Sequence, residues 1–180
     1  MIEIEQDLLP DDEWKKIQKE IPIVCVDAIP VKVVGNTIEQ VGLIFRETYY
    51  TGNKWAFIGG RVLYKETIEQ ALYRQIYETL GTKINFKILT NEKYAYVAQY
   101  FPDKINDYGY DPRKHAVSFT YVIVLDGEPF AQGEALKFQW FNLALLPDDK
   151  EIGFGQGTML HDIINYSKKI LLKSKTKCNV

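Results

Sequence analysis

The chain is poor in cysteine, with two in 180 residues. Cys25 lies in an apolar run and Cys178 in a polar tail, so no disulfide framework is expected. A reducing, cytoplasmic compartment follows as the default. No strong charge bias exists either. A formal net charge of -2 argues against a nucleic-acid or anionic-membrane binder. No apolar run approaches the roughly 20 residues that span a bilayer. The start, Met1-Ile2-Glu3-Ile4-Glu5, is acidic and lacks the basic opening of a signal peptide. Internal repeats, low-complexity linkers, domain boundaries and a helix-turn-helix appendage are all missing.

What remains is the composition of one globular domain, with 46% hydrophobic and 26% charged residues. A chain of this length buries about 70% of its unfolded surface. Its 12 tyrosines serve either strand and core packing or a stacking platform for a base or sugar.

Local patterns predict the elements. Leu8 to Glu20 reads as a helix ended by Pro22. Ile23 to Val34 is β-branched and nearly continuous, as a buried strand is. Gly35-Asn36 signals a hairpin into a second strand over Thr37 to Arg46. Glu47 to Lys54 reads as a polar loop, and Trp55 to Ile58 leads into paired glycines. Ile84 to Tyr100 holds two strands around Asn91-Glu92. Phe101 to His115 is a long polar loop, a length often tied to function. Ala116 to Leu125 and Glu134 to Phe141 are strands. Leu143 to Leu146 makes a helical turn, and Thr158 to Leu172 a closing helix. Lys168 to Lys177 is a basic tail expected to be solvated and frayed. Strands around a central helix, with another helix at the end, give an α/β/α sandwich on a mixed sheet.

Gly59 to Thr82 stands out as a glycine loop followed by a helix. Gly59-Gly60 permits close backbone approach and a turn with positive φ. Ile68, Leu72, Ile76 and Leu80 form an apolar row, Glu66, Gln70, Arg74 and Glu78 a polar one, and Gly81 stops the helix. Carboxylates on a rigid helix, with a loop carbonyl, suit a hard cation such as Mg2+ that keeps waters and phosphate oxygens.

This stretch resembles the Nudix box: Gly, five residues, Glu, seven residues, then Arg-Glu-aliphatic-x-Glu-Glu-x-Gly-aliphatic. Gly60, Glu66, Arg74, Ile76, Glu78 and Gly81 match in spacing. Gln75, Thr79 and Thr82 depart from it. The resemblance implies a Nudix-type α/β/α sandwich over 22–172, with a helical extension over 1–21 and a basic tail over 173–180. It also implies Mg2+ (or Mn2+) and a homodimer. Of the family's three helix carboxylates this chain keeps only Glu78. Glutamine and threonine carry no charge for a metal.

Two branches of the family share further features. Pro22-Ile23-Val24-Cys25-Val26-Asp27 through Gly59-Gly60-Arg61-Val62 looks like the GDP-mannose mannosyl hydrolases, which cleave C–O with a degenerate box. The helix Glu they keep aligns with Thr79, and their late-loop histidine with Ala135. Asp111-Pro112-Arg113, Val117-Ser118 and Gly133-Glu134-Ala135 resemble ADP-ribose pyrophosphatase-like proteins, although Gln156 stands for their His.

The function implied is Mg-dependent hydrolysis of a nucleoside diphosphate linked to another moiety, a nucleotide sugar cut at C–O. The alternatives are an ADP-ribose-type pyrophosphatase cutting P–O, or a non-catalytic nucleotide-binding protein on the same fold. Gly59, through its carbonyl, Glu78 and Glu134 are the metal ligands in this reading, with Glu78 or Glu134 as base. Glu66 and Arg74 orient the box. Arg46, Arg61 and Arg113 would clamp phosphate bidentately. His115 is a candidate base or ligand contact, and Trp55 a stacking ring, with core packing as its other role.

Overall fold

The computed structural model describes residues 9–49, 51–89, 94, 96–104 and 108–177, with backbone alone for 172–177. The segment before residue 9, the Asn91-Glu92 turn and Cys178 lie outside the described residues.

The order is α1 (Asp11–Glu20), β1 (Ile23–Val34), β2 (Thr37–Thr48), β3 (Gly52–Ala56), β4 (Ile58–Arg61), α2 (Ile68–Leu80), β5 (Asn85–Ile88), β6 (Tyr96–Tyr100), β7 (Ala116–Asp126), β8 (Lys137–Asn142) and α3 (Gln156–Lys177). Short 3-10 turns occupy Leu143–Leu145, Asp149–Glu151 and Gly153–Gly155. No helix among the described residues is long and apolar enough to cross a membrane.

β1 is the spine of the sheet. Along one edge it pairs in parallel with β7, from Ile23↔Ala116 to Val31↔Val124. Its other edge is shared: Cys25–Ala28 pair with β4 and Val31–Val34 with β2, both antiparallel. β2 pairs with β3 and β8, and β7 with β5 and β6. The sheet is therefore mixed, as expected.

Alternation along β1 divides the core, because successive strand residues face opposite sides. Cys25, Ile29 and Val31 pack with Met159, Leu160, Ile163 and Ile164 of α3, and Trp14 and Ile17 of α1 lean on the same cluster. Val26 and Ala28 pack with Ala71, Leu72, Ile76 and Leu80 of α2. Helices thus cover both faces. Asp27 falls on the α3 face and is 8% exposed.

Three expectations are corrected. The polar stretch Glu47 to Lys54 is not a loop: β2 runs to Thr48, and β3 returns with Arg46↔Lys54 and Phe45↔Trp55. A ladder between two backbones asks little of the side chains, and Gly52, with φ 71°, makes the turn. Gly59 and Gly60 do not turn with positive φ either; they are ladder residues opposite Asp27 and Val26. Their glycine identity answers crowding. A Cβ on Gly59 would strike the Asp27 carboxylate and the Val26 carbonyl, and one on Gly60 would strike the Gln75 amide. The basic tail continues α3 as far as Lys177 instead of fraying at Lys168.

Gly59→Ala is expected to lower folding stability by about 3 kcal/mol, as overpacking against backbone does. Denaturant unfolding measures it, and an unchanged midpoint would show that β1 and β4 can part at no cost.

Candidate functional site

The site is assembled around α2. Thr67 caps it in a reciprocal pair with Gln70: the Gln70 N–H donates to Thr67 Oγ1 at 3.1 Å, and the Thr67 N–H donates to Gln70 Oε1 at 2.8 Å. Just before the cap, Glu66 accepts from the Leu63 N–H at 2.8 Å and from Arg74 Nε and Nη2 at 2.7 and 2.9 Å. Burial raises the Glu66 carboxyl, but the Arg74 guanidinium and the Leu63 amide outweigh it and hold it below its ordinary range. Arg74 also donates to the Arg61 carbonyl at 2.9 Å and to Glu78 Oε2 at 3.2 Å. Glu66 and Arg74 thus clasp α2 to β4.

Gln75 stands one residue on. With its amide oriented to satisfy its neighbours, its nitrogen donates to the Gly59 carbonyl at 3.3 Å and its oxygen accepts from Arg74 Nη1 at 2.8 Å. The far end of α2 is closed by the chain after β7. Phe130 N and Gln132 N donate to the carbonyls of Leu80 and Thr79, and Gln132 Nε2 to that of Tyr77, each at 3.0 Å. This strap delivers Glu134, which lies in a turn before β8 rather than on a strand.

Gly59, Gly60, Gln75, Glu78, Thr79, Gln132 and Glu134 therefore line one cleft of about 530 Å3. Here the structure brings Gly59, Glu78 and Glu134 together. Glu134 pairs with Arg46 Nη1. Burial pushes the Glu134 carboxyl above its ordinary value, opposed by Arg46 and Arg113.

On the other side of the same glycines is a small chamber of about 70 Å3. Asp27, Arg46, Tyr100, Arg113, Lys114, Phe154 and Gln156 are among its walls. Arg113 is held by Asp111 at 2.7 and 2.8 Å. Its guanidinium sits 4.7 Å from the Tyr49 ring and 5.8 Å from the Phe154 ring. The Tyr100 hydroxyl donates to Asp27 Oδ2, and Gln156 Nε2 donates to that hydroxyl, both at 3.0 Å. Gln156 Oε1 in turn accepts from the Phe57 N–H at 2.9 Å, where the ladder breaks between β3 and β4. Burial raises the Asp27 carboxyl, with Tyr100 among the groups opposing it.

Three expected ligand contacts lie elsewhere. The Arg61 guanidinium rests 4.2 Å over the Trp14 ring of α1. Trp55 packs against Phe45 and Phe141, with centroids at 5.0 and 4.7 Å. His115 stacks on Phe101 at 4.7 Å, its Nε2 buried without a partner among the described residues.

Sequence reasoning missed Asp27, Tyr100, Lys114, Phe154 and Gln156. Asp27 gave a signal as a carboxylate inside an apolar strand, and Gln156 as the residue standing where the ADP-ribose pyrophosphatase-like proteins have a His. Lys114 borders the chamber, where both arginines are paired with carboxylates, and it is the chamber cation without a carboxylate partner among the described residues.

For a divalent cation, the donors of the outer cleft are hard oxygens, and the Gly59 carbonyl keeps a second lone pair beside its Gln75 bond. No group of three His, Cys, Asp or Glu residues gathers among the described residues. The set thus fits an ion that takes most ligands from phosphate and water.

A family model described as a domain of unknown function (DUF4916) matches residues 5–167. The chain is 32% identical over 120 residues to the low-salt glycan biosynthesis protein Agl8 of Haloferax volcanii, covering 67% of this chain and 70% of that one. It is 30% identical to a structure from Jonesia denitrificans described as a possible asymmetric diadenosine tetraphosphate hydrolase. That match covers 84% of this chain and 98% of the other, with a TM-score of 0.75. A MutT NUDIX hydrolase of Burkholderia pseudomallei matches at 25% identity over 72% and 89% of the two chains, with a TM-score of 0.52.

Asp27 sets a pH expectation. A carboxyl raised on folding contributes stability below the ordinary carboxylate range and loses it as pH rises through the raised value. Asp27→Asn should therefore gain stability relative to the unmodified chain as pH rises from acid to neutral, because burial raises the Asp27 carboxyl. Urea unfolding at both pH values checks this; a pH-independent difference would contradict it.

Proposed function

The chain belongs to the DUF4916 family within the Nudix superfamily, and on that premise we propose that it hydrolyses a nucleoside diphosphate linked to another moiety, a nucleotide sugar above all. One observation carries the reading: Gly59 and Gly60 border both a cleft that holds the Glu78 and Glu134 carboxylates and a chamber where Arg46, Arg113 and Lys114 gather, with Asp27 and Asp111 beside them. A diphosphate at that wall meets both. The similarity to a glycan biosynthesis protein supports a sugar on the far side of the diphosphate.

Arg46, Arg113 and Lys114 bind the phosphate oxygens, the arginines with their planar forks. Gly59 O, Glu78 and Glu134 would hold Mg2+ or Mn2+, which neutralises diphosphate charge when bound. A phosphate that draws Arg46 away leaves Glu134 without its counter-charge. Its raised carboxyl is then a better proton acceptor for water. A sugar C–O cut, of the GDP-mannose type, asks less of the protein, because the diphosphate leaves as a stabilised anion. A P–O cut, of the ADP-ribose type, needs Glu134 or Glu78 as base; His115, stacked on Phe101, lines neither space.

One observation favours a second reading, ligand binding without turnover. Each proposed metal ligand already has a protein partner: Gly59 O has Gln75, Glu78 has Arg74, and Glu134 has Arg46.

Turnover of nucleoside diphosphate sugars, ADP-ribose and dinucleoside polyphosphates in heavy-oxygen water with Mg2+ separates these outcomes. Label in the sugar means a C–O cut, and label in phosphate a P–O cut. Glu134→Gln should lower kcat by about 100-fold. A chelator should abolish turnover and added Mn2+ restore it. Saturable binding without turnover would replace the hydrolase reading with the second one.

A further inference from the structure

The chamber at Arg46, Arg113 and Lys114 is too small for more than a phosphate-sized group, at about 70 Å3. The remainder of any ligand held there must lie in a neighbouring space. Besides the carboxylate cleft, such a space exists. A second cleft of about 630 Å3 falls within the roughly 300–1,000 Å3 typical of small-ligand sites.

The two spaces share walls. Along the chain from 110 to 114, Asp111, Arg113 and Lys114 face the chamber while Tyr110 and Pro112 face the cleft. From 153 to 158, Phe154 borders both, with Gln156 on the chamber side and Gly155 and Gly157 on the cleft side. The two walls are hydrogen-bonded to each other: Tyr110 N donates to the Phe154 carbonyl at 2.9 Å, and Gly109 N to the Gly155 carbonyl at 3.3 Å. At the junction the Tyr49 ring of the cleft lies 4.7 Å from the Arg113 guanidinium of the chamber.

The cleft's charge is distinctive. Among the described residues, Lys54 and Lys150 line it with one carboxylate, that of Asp149. The Lys54 ammonium is anchored to the Lys150 carbonyl at 2.8 Å, which fixes its place at the wall without neutralising it. Asp149 faces the first turn of α3, where a Cβ on Gly157 would strike its carboxylate. That helix end is therefore already supplied with a negative charge, and the attraction for a ligand comes from the lysines.

We propose that this cleft receives a second anionic group of the same ligand, one that lies beyond the diphosphate. The inference rests on the reading of Arg46, Arg113 and Lys114 as the diphosphate clamp. The anion is either a further phosphate in the chain or an acidic sugar carboxylate; both present the same charge to Lys54 and Lys150.

Calorimetric titration without added metal tests it with two pairs of probes: pyrophosphate against tetrapolyphosphate, and UDP-glucose against UDP-glucuronate. In at least one pair the more anionic member should bind about tenfold tighter. A Lys54→Gln, Lys150→Gln double variant should remove that gain and leave pyrophosphate affinity unchanged. Gain in the first pair identifies a phosphate chain, and gain in the second an acidic sugar. Equal affinity within both pairs, or a gain that survives the double variant, overturns the proposal while leaving the clamp intact. Failure of pyrophosphate itself to bind overturns the clamp and the cleft together.

Discussion

The contact between β1 and β4 at Gly59 governs the rest of the molecule. Two backbones approach there with the Asp27 carboxylate between them, and no side chain on Gly59 could be admitted. The approach has a cost, since it leaves a carboxyl buried on the α3 face of the sheet. Tyr100 and Gln156 offset it by a relay that ends on the Phe57 N–H. A buried polar group is tolerable when its partners are supplied in this way. The thin wall that results separates the carboxylate cleft from the chamber that holds the cations.

Charge compensation is the second theme. Arg74 alone serves Glu66, Glu78, the Arg61 carbonyl and the oriented Gln75 oxygen. Arg46 serves Glu134 and Arg113 serves Asp111. On the proposed clamp, a ligand at Arg46 or Arg113 would exchange partners with Glu134 or Asp111. Exchange favours selectivity, because a ligand with fewer negative charges cannot displace the internal carboxylates.

How much of this was legible follows the range of the forces involved. β1 begins and ends where its composition says. α2 was readable from its row of Ile68, Leu72, Ile76 and Leu80 and from Gly81 at its end, whereas the Thr67–Gln70 cap was seen only in the structure. The carboxylate cleft was readable because Glu78 and Gly59 belong to one motif and Glu134 follows from resemblance. β3 was not readable, since its ladder depends on β2 rather than on its own residues. The strand conformation of Gly59 and Gly60 was hidden because crowding and turning both select glycine. Lys114 carried no local signal, and Gln156 was marked only as a replacement for a family His, with no hint of its bond to Tyr100. Their place depends on neighbours drawn from β1, β2, β6 and the start of α3. Arg61 and Trp55 were plausible by type, but aromatic packing on Trp14, Phe45 and Phe141 claims them.

The strap over the end of α2 carries a mechanical corollary. Because residues 130–132 satisfy the last carbonyls of that helix, the backbones that carry Glu134 and Glu78 are hydrogen-bonded to each other. The distance between those backbones then depends on the length of the strap. Relatives with one residue more or fewer between β7 and β8 would hold their two acids at a different gauge, and the size of ion or phosphate they admit would change with it.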